Sequence, residues 1–166
     1  MKQKRVMSAR QCEIAAEAYS ASLLAQCGYD VLVQYGANQP DYDLVAEKNG
    51  RFLPISVKGS QDGGWMLAVR YKNESTTYLE AIDAWHNAQR EDVVFLFVQF
   101  MGIKIGEAPR AYLARPEEIA LHMKTQCHGR GHGALREDNK KLHPNSKYDY
   151  KIPNEWVYSL ERLNGI

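Results

Sequence analysis

The stretch PDYDLVAEKNGRFLPISVKGS, residues 40–60, decides the fold. Asn49-Gly50 at its centre is the signature of a two-residue hairpin turn, because both turn positions require positive φ and these residues tolerate it. The turn predicts the register outward: Lys48 faces Arg51, Glu47 faces Phe52, Val45 faces Pro54, Asp43 faces Ser56 and Asp41 faces Lys58. Side chains alternate along a strand, so Leu44, Ala46, Leu53, Ile55 and Val57 form one apolar face while Asp41, Asp43, Ser56 and Lys58 share the other. Pro54 falls at a non-hydrogen-bonded pair, where its missing N–H costs no ladder bond toward Val45. A strand pairing on the other side of Pro54 would require a bulge.

Before the hairpin, residues 9–27 are predicted to be a helix: Ser8 and Gln11 form a capping box, Cys12, Ala16, Tyr19 and Leu23 recur at helical spacing, and Gly28 closes it. YDVLVQY, residues 29–35, reads as a strand. After the hairpin, WMLAVRY (65–71) is expected to be a short strand and residues 75–90 a helix with an apolar stripe at Tyr78, Ala81, Ile82 and Trp85. VVFLFVQF, residues 93–100, is a continuous apolar run of the kind covered on both faces, hence the expected central strand. RAYLA (110–114) adds a strand, and Pro116-Glu117-Glu118 opens a helix to about residue 124. From Gln126 the pattern dissolves into CHGRGHGALREDNKKLHPNSKYDY, with EWVYSLERL near the end. With no repeats and no Pro- or Ser-rich linker, residues 1–166 read as one α/β domain with helices packed on a central sheet. Tyr78, Trp85 and Trp156 sit at spacings that assign them to the core rather than to base stacking.

The net charge of +1 discriminates little, but its distribution is uneven. Between residues 124 and 147 six basic residues face only Glu137 and Asp138, so Arg130, Arg136, Lys140 and Lys141, among glycines that let backbone approach closely, become the expected phosphate contacts. The other reading of that segment is a solvated loop. Cys127, His128, His132 and His143 lack the paired spacing that fixes a zinc finger. Three scattered cysteines argue against a disulfide framework, and no run is long and apolar enough for a membrane span, so a cytoplasmic protein is expected.

A helix bearing glutamates, followed by GYDVLVQYG and DYDLVAEKNGRFLPISVK, resembles the PD-(D/E)XK nuclease superfamily of restriction enzymes and Holliday-junction resolvases. The resemblance covers roughly the first third to half of the chain. It implies a restriction-endonuclease-like central mixed β-sheet flanked by helices, Mg²⁺ (or Mn²⁺) as cofactor, DNA as partner and phosphodiester hydrolysis as activity. Enzymes that cut both strands often act as pairs of sites, which makes a homodimer one option while the oligomeric state stays open. Carried over residue by residue, it places the first acid on Asp43 rather than Asp41, the lysine on Lys58 and the helix glutamate on Glu17. Asp43, Glu17 and the Val57 carbonyl would hold the metal, and Lys58 would orient water or neutralise charge.

The departure is Ser56, where that superfamily usually carries Asp or Glu and some members a polar non-acidic residue. A hydroxyl is a neutral, weak ligand and cannot replace the charge. Three outcomes are open: another acid compensates, one metal is held with more waters, or the site is inert. Asp62 is the most reachable replacement because Gly59, Gly63 and Gly64 let the chain fold back; Asp41, Glu47 and Glu13 are the alternatives. The competing reading of Asp41 and Lys58 is an exposed cross-strand pair worth roughly 0.2–1 kcal/mol. The competing function is a catalytically inactive nucleic-acid-binding or protein-interaction module on the same fold.

Overall fold

Helix α1 (Ala9–Gln26) starts on the expected capping box, the Ser8 hydroxyl accepting from the Gln11 amide and the Gln11 side chain from the Ser8 amide. It ends in a Schellman motif, with Gly28 at φ 79 and the Tyr29 amide donating to the Leu24 carbonyl at 3.2 Å. The buried stripe of α1 is Cys12, Ala16, Ser20 and Leu24, so the packed face is turned slightly from the expected one, leaving Tyr19 and Leu23 at its margin. The computed structural model describes residues 6–33 and 41–166. The expected strand 29–35 is seen as β1 (Asp30–Val33); Gln34, Tyr35 and Pro40 lie outside the described residues.

The hairpin forms in the register derived from Asn49-Gly50: β2 (Leu44–Lys48) pairs β3 (Arg51–Ser60) antiparallel, with Leu44 opposite Ile55 and Lys48 opposite Arg51. Asn49 and Gly50 both take positive φ, 54 and 77. The ladder stops at Leu44, however. The Asp43 amide donates to the Ile55 carbonyl at 2.8 Å, so Asp43 does not face Ser56 and Asp41 does not face Lys58 across a ladder. No bulge is needed at Pro54, because the neighbouring strand begins its pairing one residue later, at Ile55.

That neighbour is β5 (Val94–Gln99), parallel to β3 and fully buried as expected, but it is the fourth of five strands and the centre of the sheet is β3. With β6 (Arg110–Ala114) antiparallel beyond it, the sheet order is β1-β2-β3-β5-β6, a mixed sheet. Alternation along β5 sorts two cores: Val94, Leu96 and Val98 pack with the α1 side, while Phe95 and Phe97 pack with Trp65, Trp85 and Met123 on the other. The second layer carries α2 (Tyr78–Asn87) and α3 (Pro116–Gly129).

WMLAVRY is not one strand. A three-residue β4 (Gly64–Met66) gives way to a 3-10 turn at Val69–Tyr71. Its partner is β7 (Ala134–Arg136), inside the segment where sequence periodicity fails, and the short helix α4 (Asn139–Leu142) follows. Alternation over so few residues carries no periodic signal; pairing between distant segments creates both strands. Helix α5 (Leu160–Gly165) closes the chain and buries Leu163 on the α1 side. Trp85 and Trp156 are buried as expected, whereas Tyr78 is 38% exposed and stacks on His132.

Candidate active site

Helix α1 reaches the sheet at Gly59. A Cβ there would lie 2.8 Å from the Cys12 carbonyl oxygen and 2.9 Å from the Ala16 Cβ, so glycine is what permits this approach. Glu17, one residue beyond Ala16, is thereby lowered toward Asp43 and Lys58. Together with Val57 and Asp62 these side chains line one cleft of about 720 Å³. Sequence reasoning had placed Glu17, Asp43, Val57, Lys58 and Asp62 at a common centre, and the fold brings all five to this cleft.

Each group is held differently. Asp43 accepts the Val57 amide on Oδ2 at 2.6 Å, a side-chain bond that fixes the carboxylate where the regular ladder ends. Lys58 is aimed through its backbone: its carbonyl accepts the Trp65 indole N–H at 2.8 Å, and its Nζ lies 6.0 Å from the Phe95 ring centre. The Glu17 carboxyl is raised above the ordinary carboxylate range, first by burial and then by the Asp43 carboxylate, with Arg10 and Lys58 opposing. A glutamate whose ionised form is opposed by burial and by a neighbouring carboxylate in a cleft is a poor structural choice and a candidate cation ligand. Asp62 accepts the Ser60 hydroxyl at 3.0 Å. Among the described residues no group of three or more His, Cys, Asp or Glu side chains converges on a metal position.

Ser56 stands apart. It is buried and opens onto a second recess of about 360 Å³ that meets the cleft at Asp43 and Lys58. Asp41 lines the same recess, with Tyr42 and Arg70.

None of the four cations expected to touch phosphate is among the residues that line the cleft or the recess. Arg130 donates to the Tyr148 hydroxyl and Lys140 to the Ser146 carbonyl, and Lys141 is exposed on α4. Arg136 packs against Gly64 in the cleft wall. Two cations that sequence reasoning passed over, Arg10 and Arg70, line the cleft and the recess themselves. Arg10 had a signal, since Arg10, Glu13 and Glu17 recur at helical spacing on α1; Arg70 had none, its position depending on the 3-10 turn. No helix among the described residues is long and apolar enough to cross a membrane.

A mixed sheet whose hairpin carries an acid and a lysine into a cleft, completed by a glutamate from the preceding helix, defines a protein of the restriction-endonuclease-like class. The family model for PD-(D/E)XK endonuclease matches residues 4–150, and the chain belongs to that family. Among solved structures the chain is similar to a bacterial homing endonuclease, I-Ssp6803I, at 19% identity and TM-score 0.40 over 68% of this chain and 69% of that one. It is also similar to Archaeoglobus fulgidus Hjc, a Holliday junction resolvase from an archaeal hyperthermophile, at 12% identity and TM-score 0.42 over 84% and 91%. Curated proteins give no match.

Proposed function

We propose that the chain is a metal-dependent nuclease that hydrolyses phosphodiester bonds in DNA, with Asp43, Glu17 and Lys58 as its working groups and Ser56 in place of one acid. The observation that carries this reading is the meeting of Glu17, Asp43 and Lys58 in one cleft, where burial and then Asp43 raise the Glu17 carboxyl.

The donor set suits a single hard divalent cation. Mg²⁺ retains several waters and binds proteins through one or two carboxylates, and Asp43 and Glu17 provide two. Bound there, such an ion supplies Lewis acidity to the phosphate and lowers the pKa of water. Asp43 is pre-set for this by its bond from the Val57 amide, so its carboxylate needs no reorganisation when charge develops. Glu17 contributes the second anion, its carboxyl raised by burial and by Asp43 against the opposing charges of Arg10 and Lys58. Lys58 brings a compact positive charge beside the phosphate without competing for the cation. Val57 and Asp62 line the same cleft and are the further candidate donors, although no group of three His, Cys, Asp or Glu side chains converges there among the described residues.

A second reading, an inactive DNA-binding or protein-interaction module, draws on Ser56: the serine is buried, and no three-acid cluster forms among the described residues. Plasmid cleavage with Mg²⁺ or Mn²⁺ separates the two. The nuclease reading predicts cleavage by the native chain and a loss of at least about a hundredfold in Asp43→Ala and Lys58→Ala. Cleavage that survives both substitutions removes the proposed site. Retained DNA binding with no cleavage, and cleavage gained by Ser56→Glu, establishes the inactive module.

A further inference from the structure

Met66 is 67% exposed, between buried Trp65 and buried Leu67. Strand alternation in β4 turns it outward, and it lines both the cleft and the second recess, where they meet at Asp43 and Lys58. Other apolar side chains are as exposed, Leu121 and Ile105 among them, but Met66 stands where the cleft and the recess join, beside Asp43 and Lys58. We infer that Met66 is a wedge that separates the two nucleotides flanking the scissile phosphate, and that the recess receives the nucleotide it unstacks. This rests on the nuclease reading and specifies its substrate: DNA that is opened, or already unpaired, at the point of cutting.

The recess has the character such an occupant needs. At about 360 Å³ it is of single-ligand size. Its exposed lining is mostly polar, from Asp41, Asp43, Ser56, Lys58 and Arg70, suited to the hydrogen-bonding edges of a base, while Trp85 and Phe95 lie buried at its base and Gln89 donates to the Trp85 carbonyl. Tyr42 offers a ring for stacking, steadied by the Arg90 guanidinium 5.4 Å from its centre. Lys58 at the junction and Arg70 on the recess wall place one cation at the scissile phosphate and another farther along the strand. A base that remains paired is tied to its stack and cannot enter a recess behind the backbone, whereas an extruded base can. Apolar side chains inserted between base steps are the known means of unstacking them.

The test uses the full chain and DNA duplexes in which every adenine is replaced by 2-aminopurine, whose emission rises on unstacking. Without divalent metal, binding of the native chain is expected to raise the emission, Met66→Leu to retain the rise, and Met66→Ala to reduce it at least about fivefold. With Mg²⁺ or Mn²⁺, Met66→Ala is expected to slow cutting of paired duplex by about tenfold and to regain most of that rate on a duplex with a mismatch at the cut. A merely structural role for Met66 would slow both substrates equally, and that result overturns the inference, as does unchanged emission on binding of the native chain. If no substrate is cut but the emission rises and depends on Met66, the wedge stands and the nuclease reading fails. If Asp43→Asn abolishes cutting while Met66→Ala matches the native chain in both assays, the wedge fails and the nuclease reading stands.

Discussion

Glu17 shows how a single residue carries the tension between fold and site. Burial and the Asp43 carboxylate both penalise its ionised form, so the folded chain holds the Glu17 proton more tightly than the unfolded chain does. The stabilisation from that proton is fully present below the unfolded value and is lost as pH rises through the raised folded value. At neutral pH the ionised carboxylate therefore works against folding unless a cation or lysine offsets it. Glu17→Gln in the metal-free protein is expected to melt at or above the parent temperature near about pH 7.5 and to match it near about pH 4, below the ordinary glutamate value. Calorimetry at the two pH values reads the difference; a variant that melts lower at both would make Glu17 a structural residue. Glu17 was legible in the sequence because its place on α1 precedes Gly28 by eleven residues, so helix geometry and family resemblance agree on it. The recess beside Ser56 was not, because its walls come from the 41–43 segment, β3, β4, the 3-10 turn, α2 and β5, which only the tertiary fold assembles.

At the level of elements, the hairpin and the buried interior strand β5 could be read directly, since Asn49-Gly50 fixes a register and residues 93–100 have no polar face to expose. Local signals failed where the pattern needed a partner: β4 and β7 have three residues each and exist because Trp65 and Leu135 meet across them. The end of the β2 ladder was also out of reach, because the Asp43 carboxylate replaces a register bond by capping Val57. What aligns α1 with β3 is Gly59, and its replacement separates packing from backbone strain. Gly59→Ala forces a methyl against the Cys12 carbonyl and Ala16, with an expected loss of about 2 kcal/mol and reduced cleavage as α1 is displaced with Glu17. Gly50→Ala meets no atom within 4 Å but keeps φ at 77, so about 1 kcal/mol of strain is expected with cleavage unchanged. Urea titration beside a cleavage assay distinguishes them; equal loss of activity in both would mean that α1 placement does not govern the site.

Across the whole molecule, Glu137 ties the far edge of the sheet to the cleft. Its carboxylate accepts Arg110 Nε at 2.6 Å, Arg110 Nη2 at 2.9 Å and the Tyr112 hydroxyl at 2.6 Å. Its backbone joins two further segments, the amide donating to the Gly63 carbonyl and the carbonyl accepting from the Ile152 amide, each at 3.0 Å. Tyr112 also lies edge-on to Trp65, the residue whose indole holds the Lys58 carbonyl, so a continuous set of contacts runs from Glu137 to the candidate lysine. Burial and Glu137 together push the Tyr112 phenol well above its usual range, keeping it a hydrogen-bond donor at every accessible pH. Removing one partner of a buried ion pair costs several kcal/mol, but the Arg110 side chain is 35% exposed and water recovers part of its charge. Glu137→Ala is accordingly expected to lose about 2 kcal/mol, and Glu137→Gln, which keeps an acceptor for Tyr112 and Arg110, about half of that. Because Glu137 also borders the strand that pairs with β4, Glu137→Ala should speed amide hydrogen exchange over residues 63–66 before the rest of the sheet responds. If exchange rises evenly through β3 and β5 instead, the Glu137 contacts stabilise the fold as a whole and do not specifically support the cleft wall that carries Trp65 and Met66.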